Sequence, residues 1–170
     1  EGRIVSLGTA PQRDMNFGDG NKPSVGVGWG DVSTAYHSTG IPNITVYFEA
    51  SPQLQQMAGM GGFMRFILSR GFMQRRLKAR VDSEPDGPTE QERAAGSSVL
   101  IGEASNEAGE KVVSRLRTPE GYSLTIQTGL DIVQRVLAGE AKPGFQTPSR
   151  LLGPDYITTF DGCVREDLNA

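Results

Sequence analysis

Apolar and polar residues alternate with period two over much of the first fifty positions, and that period predicts strands. Gly2-Arg3-Ile4-Val5-Ser6-Leu7 reads as a short first strand. Asp19-Gly20 and Gly20-Asn21 steps followed by Pro23 place a turn over 17–23. Val25, Val27 and Trp29 then alternate with Ser24, Gly26 and Gly28 as a second strand. The stretch 28–50, with the only Trp and the only His, reads as two more strands joined by a turn. Val32, Thr34, Tyr36 and Ser38 share one side of the first; Ser33, Ala35, His37 and Thr39 share the other. Gly40 and Pro42 break the run, and Ile44-Thr45-Val46-Tyr47-Phe48 resumes it. This pair is expected at the centre of a sheet.

The period then changes. Ser51-Pro52 is a helix-start signal, with Ser as cap and Pro at the first helical position, and predicts a short helix over 53–57. After Gly59, Gly61 and Gly62 a longer amphipathic helix is expected over 63–80, one stripe running through Phe63, Phe66, Ile67, Arg70, Met73/Gln74 and Leu77 and the opposite stripe basic. Pro85, Gly87 and Pro88 among acids make 82–96 an acidic surface loop, with a helical turn over 89–95. Strands over 98–104 and 111–117, joined by the turn Asn106-Glu107-Ala108-Gly109, form a hairpin. Ile126, Leu130, Val133 and Leu137 recur at spacings of four, three and four. They predict a helix over 122–137 that stops at Gly139. Thr147-Pro148 opens a helical turn, Tyr156-Ile157-Thr158-Thr159-Phe160 reads as a last strand, and Asp161-Gly162 turns the chain toward its end. Antiparallel neighbours with helices packed on one face give an α+β fold with a mixed, largely antiparallel sheet, and residues 1–170 form a single domain.

Composition narrows the classes. A chain of 170 residues with 36% apolar and 22% charged residues suits one domain with its own core. Apolar content is on the low side, which hints that something outside the chain completes part of its surface. One cysteine, Cys163, rules out an internal disulfide and a multi-cysteine metal site, and points to a reduced, cytoplasmic setting. No apolar run is long enough to span a membrane, and no membrane partner is expected. The start at Glu1 rather than Met points to a fragment or a processed product. The net charge of −3 is unevenly spread. Residues 51–81 carry Arg65, Arg70, Arg75, Arg76, Lys78 and Arg80 with no acid, whereas 82–110 carry eight acids against Arg93. Adjacent blocks of opposite sign screen each other or stay solvated, and the basic helix can also meet an acidic partner or a phosphate. No nucleic-acid surface is expected: the overall balance is acidic, and no aromatic cluster accompanies the arginines.

Candidate chemistry is sparse. Gly26-Val27-Gly28-Trp29-Gly30 is glycine-rich, but a strand is expected after it, where a dinucleotide fingerprint needs a helix. Gly59-Met60-Gly61-Gly62 precedes a helix, yet Met64 stands where a third glycine belongs and no strand leads in. No cofactor is therefore expected to bind this chain. His37 is the only histidine open to triad chemistry, and no Gly-x-Ser-x-Gly elbow accompanies it. On a strand beside Tyr and Thr it suits a packed role better than a base. Cys163 has no histidine near it in sequence, and no metal-ligand spacing occurs.

Three stretches carry a resemblance. Trp29-Gly30-Asp31-Val32-Ser33-Thr34-Ala35-Tyr36-His37-Ser38-Thr39-Gly40-Ile41-Pro42-Asn43-Ile44, Arg117-Thr118-Pro119-Glu120-Gly121-Tyr122, and Gly144-Phe145-Gln146-Thr147-Pro148 with Gly153-Pro154-Asp155 resemble the saccharopine dehydrogenase-like oxidoreductases, downstream of their nucleotide-binding domain. The resemblance implies a C-terminal domain that binds a small-molecule substrate and forms a homodimer. It also implies an upstream Rossmann domain of the same protein, and NAD or NADP on that parent. Substrate contacts then fall on Tyr36, His37, Thr39, Gly40, Asn43, Arg117, Tyr122, Phe145, Gln146 and Thr147. Their polar groups suit a carboxylate or an amide. TGIPN and GFQTP are also turn-rich sequences, which can hold a backbone path without touching a ligand. The rival expectation is a non-enzymatic assembly module that pairs its sheet with a copy of itself or docks an acidic partner on the basic helix 63–80.

Overall fold

Asn16 starts the first hairpin. Its Oδ1 accepts from the backbone N–H of Gly18 (2.8 Å) and Gly20 (3.3 Å), and both glycines turn with positive φ. The turn joins β1 (Gln12–Asn16) to β2 (Asn21–Val27), and β3 (Val46–Glu49) adds on the far side of β2. All pairings in this sheet are antiparallel, with Val25 opposite Gln12 on one side and Phe48 on the other. The computed structural model describes residues 2–52, 54–55, 59–83 and 87–168, and the backbone alone of Arg65. The helix expected over 53–57 lies mostly outside the described residues. Its cap is visible: Ser51 Oγ accepts from the Leu54 N–H at 3.2 Å.

A second antiparallel sheet has the order β4-β5-β6. Here β4 (Ser97–Ser105) and β5 (Lys111–Pro119) form the expected hairpin, with Gly109 turning at φ 82°, and β6 (Val164–Leu168) pairs with β5. The fold is α+β, its strands divided between two three-stranded sheets.

Several segments depart from the alternation. Residues 2–7 form no strand. The run expected as a strand over 32–38 is helix α1 (Asp31–Thr39). Its hydroxyls fold back on carbonyls one turn earlier, Ser38 Oγ on Thr34 O (2.8 Å) and Thr39 Oγ1 on Ala35 O (2.7 Å). Gly40 ends it in the left-handed region at φ 73°. The helix expected over 63–80 is two helices, α2 (Gly62–Leu68) and α3 (Gly71–Val81). Ser69 Oγ on Phe66 O (2.7 Å) and Gln74 Nε2 on Leu68 O (2.6 Å) take the carbonyls that end α2. The turn expected over 89–95 is α4 (Glu90–Ala95), opened by a capping box between Thr89 and Glu92. Residues 156–160 form a 3₁₀ turn (Tyr156–Thr159) instead of a strand, closed by Thr158 Oγ1 on Asp155 O at 2.8 Å.

The helix expected over 122–137 is α5 (Gly121–Leu137), and α6 (Pro148–Leu152) starts under the Thr147 cap as expected. Against β5, α5 sets a half-buried face of Leu124, Thr128, Asp131, Ile132 and Arg135. Asp131 Oδ2 accepts from Arg135 Nε (2.7 Å) and from the Tyr156 hydroxyl (2.8 Å). Tyr156 is buried, and burial, then the Asp131 hydrogen bond, push its hydroxyl up to about 12. Asp131 is held below the usual carboxylate range by Arg135, then by Tyr156. Meanwhile Tyr122, Ile126, Leu130, Val133 and Leu137 face water, from 55% exposed at Val133 to 82% at Leu137. Helix α5 thus turns a mixed face of polar and apolar groups inward and its longest apolar stripe outward.

The core is correspondingly thin. Val25, Ala50, Tyr156 and Cys163 are the buried apolar residues among those described. The chain exposes 12776 Å². A folded monomer of 18.3 kDa ordinarily exposes about 8,100 Å², so the excess is roughly 4,600 Å².

Candidate functional site

The two sheets do not close on each other. Between them lies a cleft of about 1170 Å³, somewhat above the usual range for a small-ligand pocket. Tyr47 and Phe48 of β3 line one wall, and Leu100 of β4 and Leu116 of β5 line another. Leu124 of α5 and Ile157 of the 3₁₀ turn add to the apolar lining. Trp29 stacks on Phe48 at the margin, ring centroids 5.1 Å apart.

Four cations also line the cleft, and three of them are engaged. Arg13 of β1 reaches across to Glu103 of β4 (2.9 Å), which also holds Lys111 (3.2 Å). Burial raises the Glu103 carboxyl and the two cations lower it; the cations win, and the group stays below its usual range. Lys22 holds Asp19 (2.8 Å) and Glu49 (3.3 Å). Arg117 is the fourth, and its guanidinium forms no ion pair or hydrogen bond with a described residue, although its field reaches Asp19. Its neighbour Arg115 is committed to Glu166. An exposed guanidinium beside an apolar wall can take a carboxylate or phosphate whose body lies on the wall.

The residues assigned from the resemblance fall in three places. The first and third motifs meet. His37 at the end of α1 packs against Phe145 (centroids 4.9 Å) and edge-on to Tyr36 (5.7 Å). Ser38 Oγ and Thr147 Oγ1 lie 2.7 Å apart. Ser38 gives its proton to Thr34 O, so Thr147 donates to Ser38 while accepting from Arg150 N–H at 3.3 Å. Thr39 and Gly40 close α1: Thr39 Oγ1 accepts from the Ile41 N–H at 3.1 Å. Asn43 is exposed in the following loop, and Gln146 Nε2 donates to Pro143 O at 3.4 Å. These contacts hold α1 to the 144–147 loop. None of these residues lines the cleft. Of the second motif, Arg117 lines the cleft and Tyr122 sits on the outward stripe of α5.

The glycine-rich segment needs a correction. A helix does follow Gly26-Val27-Gly28-Trp29-Gly30, because α1 replaces the expected strand. The segment still does not fit a dinucleotide. β2 and β3 flank α1 as antiparallel neighbours, not as the parallel strands of a βαβ unit. Asp31 sits in the first helical turn, where a pyrophosphate would meet a carboxylate. A Cβ on Gly28 or Gly30 would meet nothing within 4 Å, so no neighbour demands glycine there. At Gly59-Met60-Gly61-Gly62 no strand leads in among the described residues, and α2 is seven residues long. Cys163 is buried, and burial raises its thiol pKa, which disfavours the thiolate. Among the described residues no group of three His, Cys, Asp or Glu side chains is placed to hold a metal ion, and no helix is long and apolar enough to cross a membrane.

The cleft walls were hidden in the sequence. Tyr47 and Leu100 belong to segments far apart in the chain, and only period-two alternation marks each as strand. Nothing in sequence marks Arg13 as the partner of Glu103, ninety positions away. Comparison with known proteins finds no family model, no curated protein and no solved structure that matches the chain.

Proposed function

We propose that the chain is the substrate-binding and oligomerisation domain of an NAD(P)-dependent, saccharopine dehydrogenase-like oxidoreductase whose Rossmann domain lies upstream. The observation that carries this reading is the outward apolar stripe of α5, together with roughly 4,600 Å² of exposed surface beyond that of an ordinary monomer. Such a surface suits a domain that works while covered by another. The nucleotide-binding unit covers α5 in this reading, and a homodimer contact takes part of what remains. NAD(P), bound upstream, supplies the hydride chemistry. This chain's share is to bind and orient. Arg117 takes the anionic group of a small substrate, and Tyr47, Phe48, Leu100 and Leu116 exclude water from its apolar body.

The test is made on the natural polypeptide that carries this sequence, purified from its own cell. Intact mass is read together with NAD(P)H oxidation. The reading expects a mass larger by about one domain of 100–150 residues and a Gly-x-Gly-x-x-Gly segment after a strand upstream. It expects no turnover by residues 1–170 alone. NAD(P)H oxidation by residues 1–170, or a natural polypeptide without a nucleotide-binding unit, overturns it.

A second reading, the non-enzymatic assembly module, draws on the shape of the same stripe. The spacings 4, 4, 3 and 4 from Tyr122 to Leu137 make a narrow seam of the kind that pairs two helices. Light scattering on residues 1–170 separates the two. A dimer that persists at high salt while the natural polypeptide oxidises no NAD(P)H selects the module.

A further inference from the structure

Helices α2 and α3 carry uncovered apolar and cationic side chains side by side. Phe63 is 78% exposed, Phe72 61% and Phe66 55%, and α3 buries no residue. No acid occurs from Gly62 to Val81, whereas Arg70, Arg75, Arg76, Lys78 and Arg80 all lie there. At about 100° per residue, Phe63, Met64 and Phe66 project over a span of about 160° around α2. A groove on a protein covers one stripe of a helix. An apolar arc of that width, beside charges that are all cationic, suits a medium that is apolar on one side and anionic at its edge. Seven residues cannot cross hydrocarbon, which takes about 20, so that medium has to be shallow. Arg70 sits at the junction with its guanidinium 3.8 Å over the Phe66 ring, which ties the cationic helix to the apolar one. Long arginine stems can lie along apolar surface while their heads stay with phosphates.

We propose that α2–α3 docks on the anionic face of a lipid bilayer. Phe63, Met64 and Phe66 enter the boundary between headgroups and acyl chains, and Arg75, Arg76, Lys78 and Arg80 meet the headgroup phosphates. The expectation of no membrane partner rests on the absence of a spanning segment, and one-sided contact needs none. The inference stands apart from the substrate-binding role and does not depend on it.

Sedimentation of the 170-residue chain with vesicles tests it. One set is pure phosphatidylcholine; the other contains one-third phosphatidylserine. At physiological salt the chain is expected to sediment with the phosphatidylserine vesicles and not with the neutral ones, and high salt is expected to weaken the association. Replacing three cations (R75Q/R76Q/R80Q) is expected to lower affinity on the order of a hundredfold. F63S/F66S is expected to remove the binding that survives high salt. All five positions are exposed, so far-UV circular dichroism should not change. If F63S/F66S unfolds, the glutamine variant and the lipid comparison decide by themselves. Three results overturn the proposal: no binding to either vesicle, equal binding to both, or unchanged binding by the glutamine variant. Displacement from vesicles by a polyglutamate peptide at equal affinity, with the same dependence on Phe63 and Phe66, overturns it in favour of an acidic protein partner.

Discussion

Leu130→Ala measures directly whether α5 carries its apolar stripe outward. A leucine in a packed core loses about 2–5 kcal/mol on truncation, from lost transfer energy and the cavity left behind. Leu130 is 60% exposed, so only the remaining two-fifths of its surface leaves water on folding. Full burial of leucine contributes about 1.5–3 kcal/mol, which scales here to roughly 0.6–1.2 kcal/mol. No cavity forms at an exposed site, and alanine's better helix propensity returns a few tenths of a kcal/mol. The expected cost is about 0.5 kcal/mol, below 1 kcal/mol in any case. Urea unfolding of residues 1–170, followed by circular dichroism at low protein concentration, reads it as a shift in midpoint, at constant slope, of the transition in which α5 unfolds. Ile126→Ala, at 62% exposed, should behave alike. A loss above about 2 kcal/mol at either site is core behaviour and would refute the outward orientation. A small loss in residues 1–170 that grows several-fold in the natural polypeptide would show that the polypeptide covers α5.

Other outcomes follow from single contacts. Tyr156→Phe keeps the ring and removes the hydroxyl from Asp131; part of that carboxylate stays wet, so about 1–1.5 kcal/mol is expected, measured in the same unfolding assay. Thr147→Val deletes the cap of α6 and the donor to Ser38 at once; about 1–2 kcal/mol is expected, and Ser38→Ala in the same background should add little. Glu103 is held below its usual range in the folded chain, so its tie between the sheets is fully present above the unfolded-state value and lost as pH falls through the lowered one. Trp29 emission across an acid titration should report the opening of the cleft, and Glu103→Gln should flatten that step.

How far the sequence discloses the fold depends on which force shapes each segment. The β4–β5 hairpin was legible because its alternation and the Asn106–Gly109 turn agree. The extent of α5 was legible from the spacing of Ile126, Leu130, Val133 and Leu137, but not its orientation, since periodicity marks an apolar face without saying what covers it. At α1, β-branched Val32, Thr34 and Thr39 read as strand. Three hydroxyls bonding back along the helix, with Gly40 as the stop, make it a helix instead. Strand β1 is nearly all polar, so only its pairing with β2 defines it. His37 meets Phe145 away from the cleft, in a contact that packs α1 on the 144–147 loop. Arg117 and Tyr122, assigned as one group, lie on different faces, because one is on a strand and the other in the first turn of a helix.

The tie between Arg13 and Glu103 has a consequence for cooperativity. Each sheet closes its backbone pairings within itself, and the cleft takes the place of a shared core. Two such bodies unfold as separate foldons, so calorimetry on residues 1–170 should give a van't Hoff enthalpy well below the calorimetric one. A molecule seated in the cleft touches both bodies at once. Its arrival then makes the two melt as one, and the change in enthalpy ratio reports occupancy even for a ligand with no colour, no turnover and no name.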